Sequence, residues 1–196
     1  ATNTSIWGYY CTTTSANTNQ IFNKAFTVAA GTYQTLNVDN TATSTSYTMN
    51  IGDYYLNDGS VIPNATTNKY LLSKAIGVVF DTSTSTTDQG YGWKHGYAMA
   101  LKNAATSATW STNTTTDEAS ILTSNGYTYI DHSNYPDFIN NKDGYTETYA
   151  VSHYYSSILQ NKYSAFYDAI NYGVTVPNGS SNWYLPSVGQ WWDIVV

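Results

Sequence analysis

The reading turns on "SNWYLPSVGQWWDIVV", residues 181–196. Pro186 lacks an amide hydrogen and holds Leu185 extended, so the chain must turn at Ser187. Ser187 and Gln190 stand in the S-x-x-Q spacing of a capping box, in which each side chain reaches the other residue's amide. A helix is therefore expected to begin at Ser187, with Trp183 buried just before it. Trp191 and Trp192 are neighbours on that helix, about 100° apart, so a partner covering one face cannot bury both. At least one ring is expected to stay exposed or to meet a neighbour. The apolar run through Ile194, Val195 and Val196 adds the expectation that material beyond Val196, or another chain, completes the fold.

Upstream of this stretch the sequence predicts strands first and helices later. "FTVAAGTYQTLNV" (residues 26–38) reads as a hairpin turning at Ala30-Gly31. Asp58-Gly59 is a two-residue turn signal between "GDYYL" and "SVIP". "KAIGVVF" (residues 74–80) and "HGYAMAL" (residues 95–101) are apolar enough for adjacent strands buried on both faces. "TSTSTTDQGYG" (residues 82–92) between them reads as a loop. Thr115 and Glu118 suggest a capping box before "ASIL", with Gly126 as the stop. Val151, Tyr155, Ile158, Tyr163, Phe166 and Ile170 then recur at helical spacing. They predict a helix from about Thr146 to a cap at Gly173, breaking near Asn161. Strands followed by helices make an α+β pattern. The division expected is a β-rich segment over residues 1–50 and an α+β domain over residues 51–196.

Composition narrows the class. Charged residues are only 10% of the 196, against about 25% in ordinary soluble domains. Thr, Ser, Asn and 20 Tyr take their place, and all seven basic residues are Lys. Such a surface suits an extracellular or cell-surface protein. A net charge of −6 without a basic cluster argues against a nucleic-acid partner. No apolar run approaches the roughly 18 residues of a membrane span. The chain opens on Ala1 rather than Met, as a processed form would. Cys11 is the only cysteine, so neither an internal disulfide nor a cysteine metal site is expected.

The motifs also have an order. "IGDYYLNDGS", "AIGVVF", "HGYAMALKNAA", "DGYTET", "YDAINYG" and "WYLPSVGQWW" follow one another between Ile51 and Asp193. The set resembles the C-type-lectin-like domains of Bacteroidetes surface and fimbrial proteins, of the Fibrobacter paralogous, Legionella collagen-like adhesin and formylglycine-generating-enzyme type. In that pattern G-D-Y-x-x-x-D-G-S opens the domain, as at Gly52 to Ser60. I-G-[IV]-V-F and H-G-x-x-[MV]-A-L follow, as at Ile76 to Phe80 and His95 to Leu101. W-Y-L-P-S-x-x-[QE]-W opens the second helix, as at Trp183 to Trp191. The resemblance implies a C-type-lectin-like domain whose C-terminal strands are missing here. Residues 1–50 lie outside it and share only the composition of adhesin β modules.

The resemblance brings no catalytic residues. Formylglycine-generating chemistry uses a C-terminal cysteine pair, and this chain has Cys11 alone. Sugar-binding lectins of the type use E-P-N and W-N-D motifs around calcium, and neither occurs. G-x-S-x-G is also absent, and His95, His132 and His153 show no metal-ligand spacing. His95 reads as a framework histidine. The expected cofactor set is none, with calcium the one ion the residues admit: Asn141, Asp143 and Glu147 carry oxygens a hard cation accepts. That stretch reads more simply as a turn at Asp143-Gly144 before a helix.

Binding is the remaining chemistry. Aromatic faces take the CH surfaces of sugars or apolar partner groups, and amides and phenols direct hydrogen bonds. "DQGYGWKHG" (residues 88–96) and "YTYIDHSNYPDF" (residues 127–138) have that makeup. They give Tyr91, Trp93, Tyr127, Tyr129, Asn134 and Tyr135 as candidate ligand-binding residues. The expected protein is a noncatalytic adhesion or binding component of the cell surface, in a fimbria or filament, recognising a glycan or protein ligand and meeting other subunits. The alternative is a structural subunit of a pilus, fibre or phage-like assembly that packs by strand exchange.

Overall fold

A computed structural model describes residues 2–11, 19–28, 45–46, 48–112, 118–124, 126 and 137–196. The chain divides into two compact units, residues 1–49 and 50–196. In the first, β1 (Thr2–Cys11) pairs antiparallel with β2 (Asn19–Val28), from Thr2 opposite Val28 to Cys11 opposite Asn19. The short β3 (Thr45–Ser46) adds to the other edge of β2. The hairpin expected over residues 26–38 lies largely outside the described residues, and its first three positions pair with β1 instead.

The second unit holds a four-stranded antiparallel sheet in the order β5-β4-β6-β7. β4 (Tyr54–Leu56) and β5 (Val61–Ile62) join through the Asp58-Gly59 turn. Gly59 sits at φ +88°, a conformation open to glycine at little cost. The Asp58 carboxylate accepts from the Ser60 amide at 3.0 Å and closes the turn. The buried Asp53 carboxylate accepts from the Asn50 and Asn64 amides, tying the start of β4 to the chain after β5. A single helical turn, α1 (Lys69–Leu72), leads to β6 (Ala75–Asp81), which buries Val79 and Phe80.

β7 (Tyr97–Ala100) pairs with β6, yet it is not buried on both faces as its composition predicts. It is the edge strand. Tyr97 is buried, but Met99 and the following Leu101 are 40% and 47% exposed. An edge has one neighbour only, and here Ala98 and Ala100 are half-buried while Met99 and Leu101, on the face of Tyr97, are exposed. The segment read as a loop between β6 and β7 contains α2 (Thr86–Gly90). The Ser85 hydroxyl accepts from the Asp88 amide at 3.1 Å, an N-cap that offsets the poor helix propensity of Thr-Thr-Asp.

Beside the sheet the unit holds several short helices: α3 (Glu118–Ser124), a 3-10 turn (Asp137–Asn140), α4 (Gly144–Tyr154), α5 (Leu159–Lys162), α6 (Ser164–Ile170) and α7 (Val188–Val195). Ile121, Val151, Leu159, Tyr163 and Phe166 make one core cluster, with Tyr155, Ile158, Tyr167, Ile170 and Leu185 packed on it. The periodic residues thus meet as expected, although the helix predicted from Thr146 is three helices and begins two residues earlier. The chain turns between Tyr154 and Leu159, where Ser156 and Ser157 are exposed. It turns again at Tyr163. Short helices let Tyr155, Tyr163 and Phe166 converge, with the first two rings stacked at 4.7 Å.

α7 begins as its sequence predicts. The Gln190 amide bonds the Ser187 hydroxyl, and the Ser187 amide bonds Gln190 Oε1 at 3.0 Å. Trp191 and Trp192 are 45% and 39% exposed. Trp183 is only half-buried rather than buried: its indole Nε1 donates to the Val174 carbonyl at 2.7 Å, and Tyr172 meets it edge-on. No helix of the described residues is long and apolar enough to cross a membrane.

Candidate functional site

Two local structures present aromatic rings to each other. The first is the tight segment after α2. Trp93 N donates to the Asp88 carbonyl, and Thr84 Oγ1 donates to the Trp93 carbonyl at 2.9 Å. Between Tyr91 and Trp93, Gly92 adopts φ +97°, which reverses the backbone and lets both rings lie together at 5.0 Å. The second is the N-terminal half of α4, where Tyr145 and Tyr149 are one turn apart and project from one stripe. Their rings lie 4.5 Å apart. Tyr145 joins the two sets, 4.6 Å from Trp93 and 5.7 Å from Tyr91, both edge-on. Tyr184 closes the inner side at 5.9 Å. The result is a continuous aromatic face, with Tyr91 54% exposed at its outer rim.

Beneath the face lies a buried polar layer. Tyr97 donates its phenol hydrogen to Asp88 at 2.6 Å and accepts from the Ser85 amide at 2.9 Å. The Ser85 hydroxyl donates to Asp143 at 3.0 Å, linking the start of α2 to the start of α4. Burial pushes the Asp88 carboxyl above its ordinary range, and the nearby Asp143 charge adds to the rise. Burial likewise raises the Tyr145 phenol, helped by Tyr91 and Asp88. It raises Tyr184 well above normal, with Tyr97 and Asp88 close by. The Tyr184 phenol oxygen accepts from Gln190 Nε2 at 2.9 Å.

Beyond Tyr149 the face meets an open groove of about 490 Å³. Its floor and walls come from Ile170 and the segment 172–183, including Tyr172, Asn178, Asn182 and Trp183. Tyr149 belongs to both places. Its phenol donates to the Trp183 carbonyl at 3.3 Å, and burial raises its pKa, followed in effect by the Tyr145 phenol.

Of the residues the sequence suggests for binding, Tyr91 and Trp93 come together here. Tyr127, Tyr129, Asn134 and Tyr135 lie outside the described residues. The calcium candidates Asp143 and Glu147 sit at the start of α4. Asp143 is engaged by Ser85, and Glu147 Oε1 accepts from the buried Asn141 amide at 2.6 Å. Among the described residues, no three His, Cys, Asp or Glu side chains are grouped to hold a metal ion. Burial, with Asp143 adding to it, pushes Glu147 up to about 7. Its partner is tied to the N-terminus of α4 through the Asp143 amide, so the pair belongs to the helix junction. His95 lies exposed before β7 and not in the framework.

Sequence reasoning missed Tyr145, Tyr149, Tyr184 and the groove. The i, i+4 pair of Tyr145 and Tyr149 was a usable signal. Tyr184 and the groove carry no local one. The chain finds no match among protein-family models, characterised proteins or solved structures.

Proposed function

We propose that the unit of residues 50–196 is a noncatalytic binding module of an extracellular surface protein, with a C-type-lectin-like arrangement, that recognises a glycan or protein ligand. The aromatic face of Tyr91, Trp93, Tyr145 and Tyr149 carries this reading. A core cluster would close its outermost ring off from water, yet Tyr91 is more than half exposed. Phenol rings around an indole offer broad apolar contact with polar edges, at low rotamer cost. The low charge and the order of the strand and helix motifs support the surface role. The test is binding to arrayed glycans and surface-protein extracts by wild type and by Trp93→Ala. The expected outcome is a ligand retained by wild type and lost in Trp93→Ala with the fold intact. Equal retention by both proteins sinks the reading.

A structural subunit of a filament is the second reading, favoured by a separate observation. Trp191 and Trp192 are both exposed within α7, large apolar surface of the kind that packs against a neighbouring subunit. Light scattering on wild type and Trp191→Ser decides it. Association reduced by Trp191→Ser favours assembly, and a concentration-independent monomer removes it.

A further inference from the structure

We propose that the groove between Tyr149 and Trp183 is a second ligand site, built for an uncharged saccharide. It adjoins the Tyr91–Trp93 face only at Tyr149, and it stands or falls independently of that face.

Charge is the first argument. In a chain of net charge −6, no Asp, Glu, Lys or His side chain lines this groove. A ligand bearing carboxylate, phosphate or ammonium would give up ion hydration there without a countercharge, which is costly. A neutral ligand gives up only hydrogen bonds, and the rim can replace them. Asn178, Asn182 and Thr175 are exposed there; Asn182 also bonds the Tyr149 phenol, and a carboxamide offers both donors and acceptors to adjacent hydroxyls.

The second argument is a pair of fixed rings set in a mainly polar lining. Trp183 is fixed in orientation because Nε1 is held by the Val174 carbonyl and Tyr172 abuts it at 86°. Tyr149 borders the opposite element, α4. Fixed rings beside amides suit a pyranose, which has apolar CH faces and a polar equator. A purely apolar ligand would leave the amides unpaired.

Preorganisation is the third. The turn at Pro177 to Ser180 is set by the Ser180 amide on the Pro177 carbonyl at 3.2 Å, with Gly179 at φ +87°. The Ser180 hydroxyl is bonded to the Tyr55 phenol of β4, which ties the loop to the sheet. A wall already ordered adds little conformational cost on binding. The volume lies within the roughly 300–1,000 Å³ of small-molecule sites. The open shape admits a chain of sugars as well as one ring.

The experiment is calorimetric titration of the full chain with cellohexaose, laminarihexaose and mannohexaose, and with hexagalacturonate as the charged counterpart. Asn178→Ala and Asn182→Ala change exposed rim residues, and their melting temperatures confirm the fold. Tyr91→Ala tests the neighbouring face. The expected result is binding of at least one neutral hexasaccharide but not of hexagalacturonate, weakened about tenfold by the rim variants. The proposal is overturned if no neutral hexasaccharide binds, if the acidic one binds as well, or if the rim variants leave affinity intact. Neutral-sugar binding lost only in Tyr91→Ala also overturns it, while leaving the aromatic face standing as a binding surface.

Discussion

Two stripes of α4, one residue apart, have opposite fates. Gly144 and Thr148 are buried against the chain leading into α7. Thr148 Oγ1 donates to the Leu185 carbonyl and accepts from the Leu185 amide, at 3.1 and 3.0 Å, and Thr148 is wholly buried. Tyr145 and Tyr149, the larger and more apolar pair, remain partly open on the aromatic face. The polar stripe is inside because its groups are satisfied by backbone. The aromatic stripe is outside because Trp93 and Tyr91 cover it only in part. Residue type alone would have assigned the two stripes the other way round.

The sharpest break of this comparison comes at Gly189, which faces the backbone of residues 139–141 just before α4. A Cβ there would lie 2.2 Å from the Asn141 carbonyl oxygen and 2.5 Å from that of Ile139. Both are backbone atoms, which cannot rotate away as a flexible side chain would. Gly189→Ala is expected to lower stability by about 3 kcal/mol or more in urea unfolding. Gly173→Ala is the control: its Cβ would meet nothing within 4 Å, and its change should stay within about 0.5 kcal/mol. Equal effects from the two would mean that α7 does not dock this closely.

Glu147 lies beside both stripes, and its pH dependence measures how dry the junction is. The carboxyl ordinarily titrates at 4.5 and is pushed up to about 7 in the fold, burial being the main cause. Between those values the folded protein holds a proton that the unfolded chain releases, so stability falls as pH rises. Below the window the penalty is absent, and above it the penalty is complete. Asp88 is raised for the same reason and acts in the same direction. Glu147→Gln keeps an oxygen for the Asn141 amide and removes the charge. It should therefore flatten the profile and add on the order of 1–3 kcal/mol at pH 8. A wild type that gains stability from pH 5 to 7 because of Glu147 would reverse the sign and refute the burial.

What the sequence disclosed and what it hid divide along the same line. The Asp58-Gly59 turn and the Ser187–Gln190 box were legible because each is closed within four residues. The core residues from Val151 to Ile170 were legible by period, although their one predicted helix became three, since period does not report where polar residues let the chain turn. α2 had a signal in the Ser85–Asp88 spacing, obscured by its Thr-rich composition. β7 looked like β6 because an edge strand is defined by the absent neighbour. Gly144 and Gly189 read as weak helix residues, and only the facing backbone shows why a side chain cannot stand there. Tyr91 and Trp93 were visible as candidates, but Tyr145 and Tyr149 reach them across about fifty residues of chain.

Ser187 joins the local and tertiary kinds of information in one side chain. Its hydroxyl caps α7 and also donates to the Asn141 carbonyl at 2.6 Å, with Ser187 only 2% exposed. Ser187→Ala removes the cap and strands a buried carbonyl, so a loss of about 1–2 kcal/mol is expected. Ser187→Thr restores the hydroxyl and should recover most of it. A loss within about 0.3 kcal/mol in urea unfolding would show that neither bond contributes to the junction.

The smallest expected change belongs to the aromatic stripe, and its smallness is what makes it informative. Tyr91 is 54% exposed and meets Trp93 and Tyr145 by ring contact. Aromatic pairs are worth about 0.5–1.5 kcal/mol each when well buried, and exposure on this scale brings the sum down. Tyr91→Ala should therefore cost less than about 1 kcal/mol, and Tyr91→Phe, which keeps the ring, still less. Unfolding in urea at pH 7 measures both. A loss near that of Gly189→Ala would make Tyr91 part of the core, and the aromatic face could no longer be read as a surface held open for a ligand. A small loss in stability together with a large loss in ligand retention is the signature of a binding residue, because its contacts are then made mainly with the partner and not with the fold.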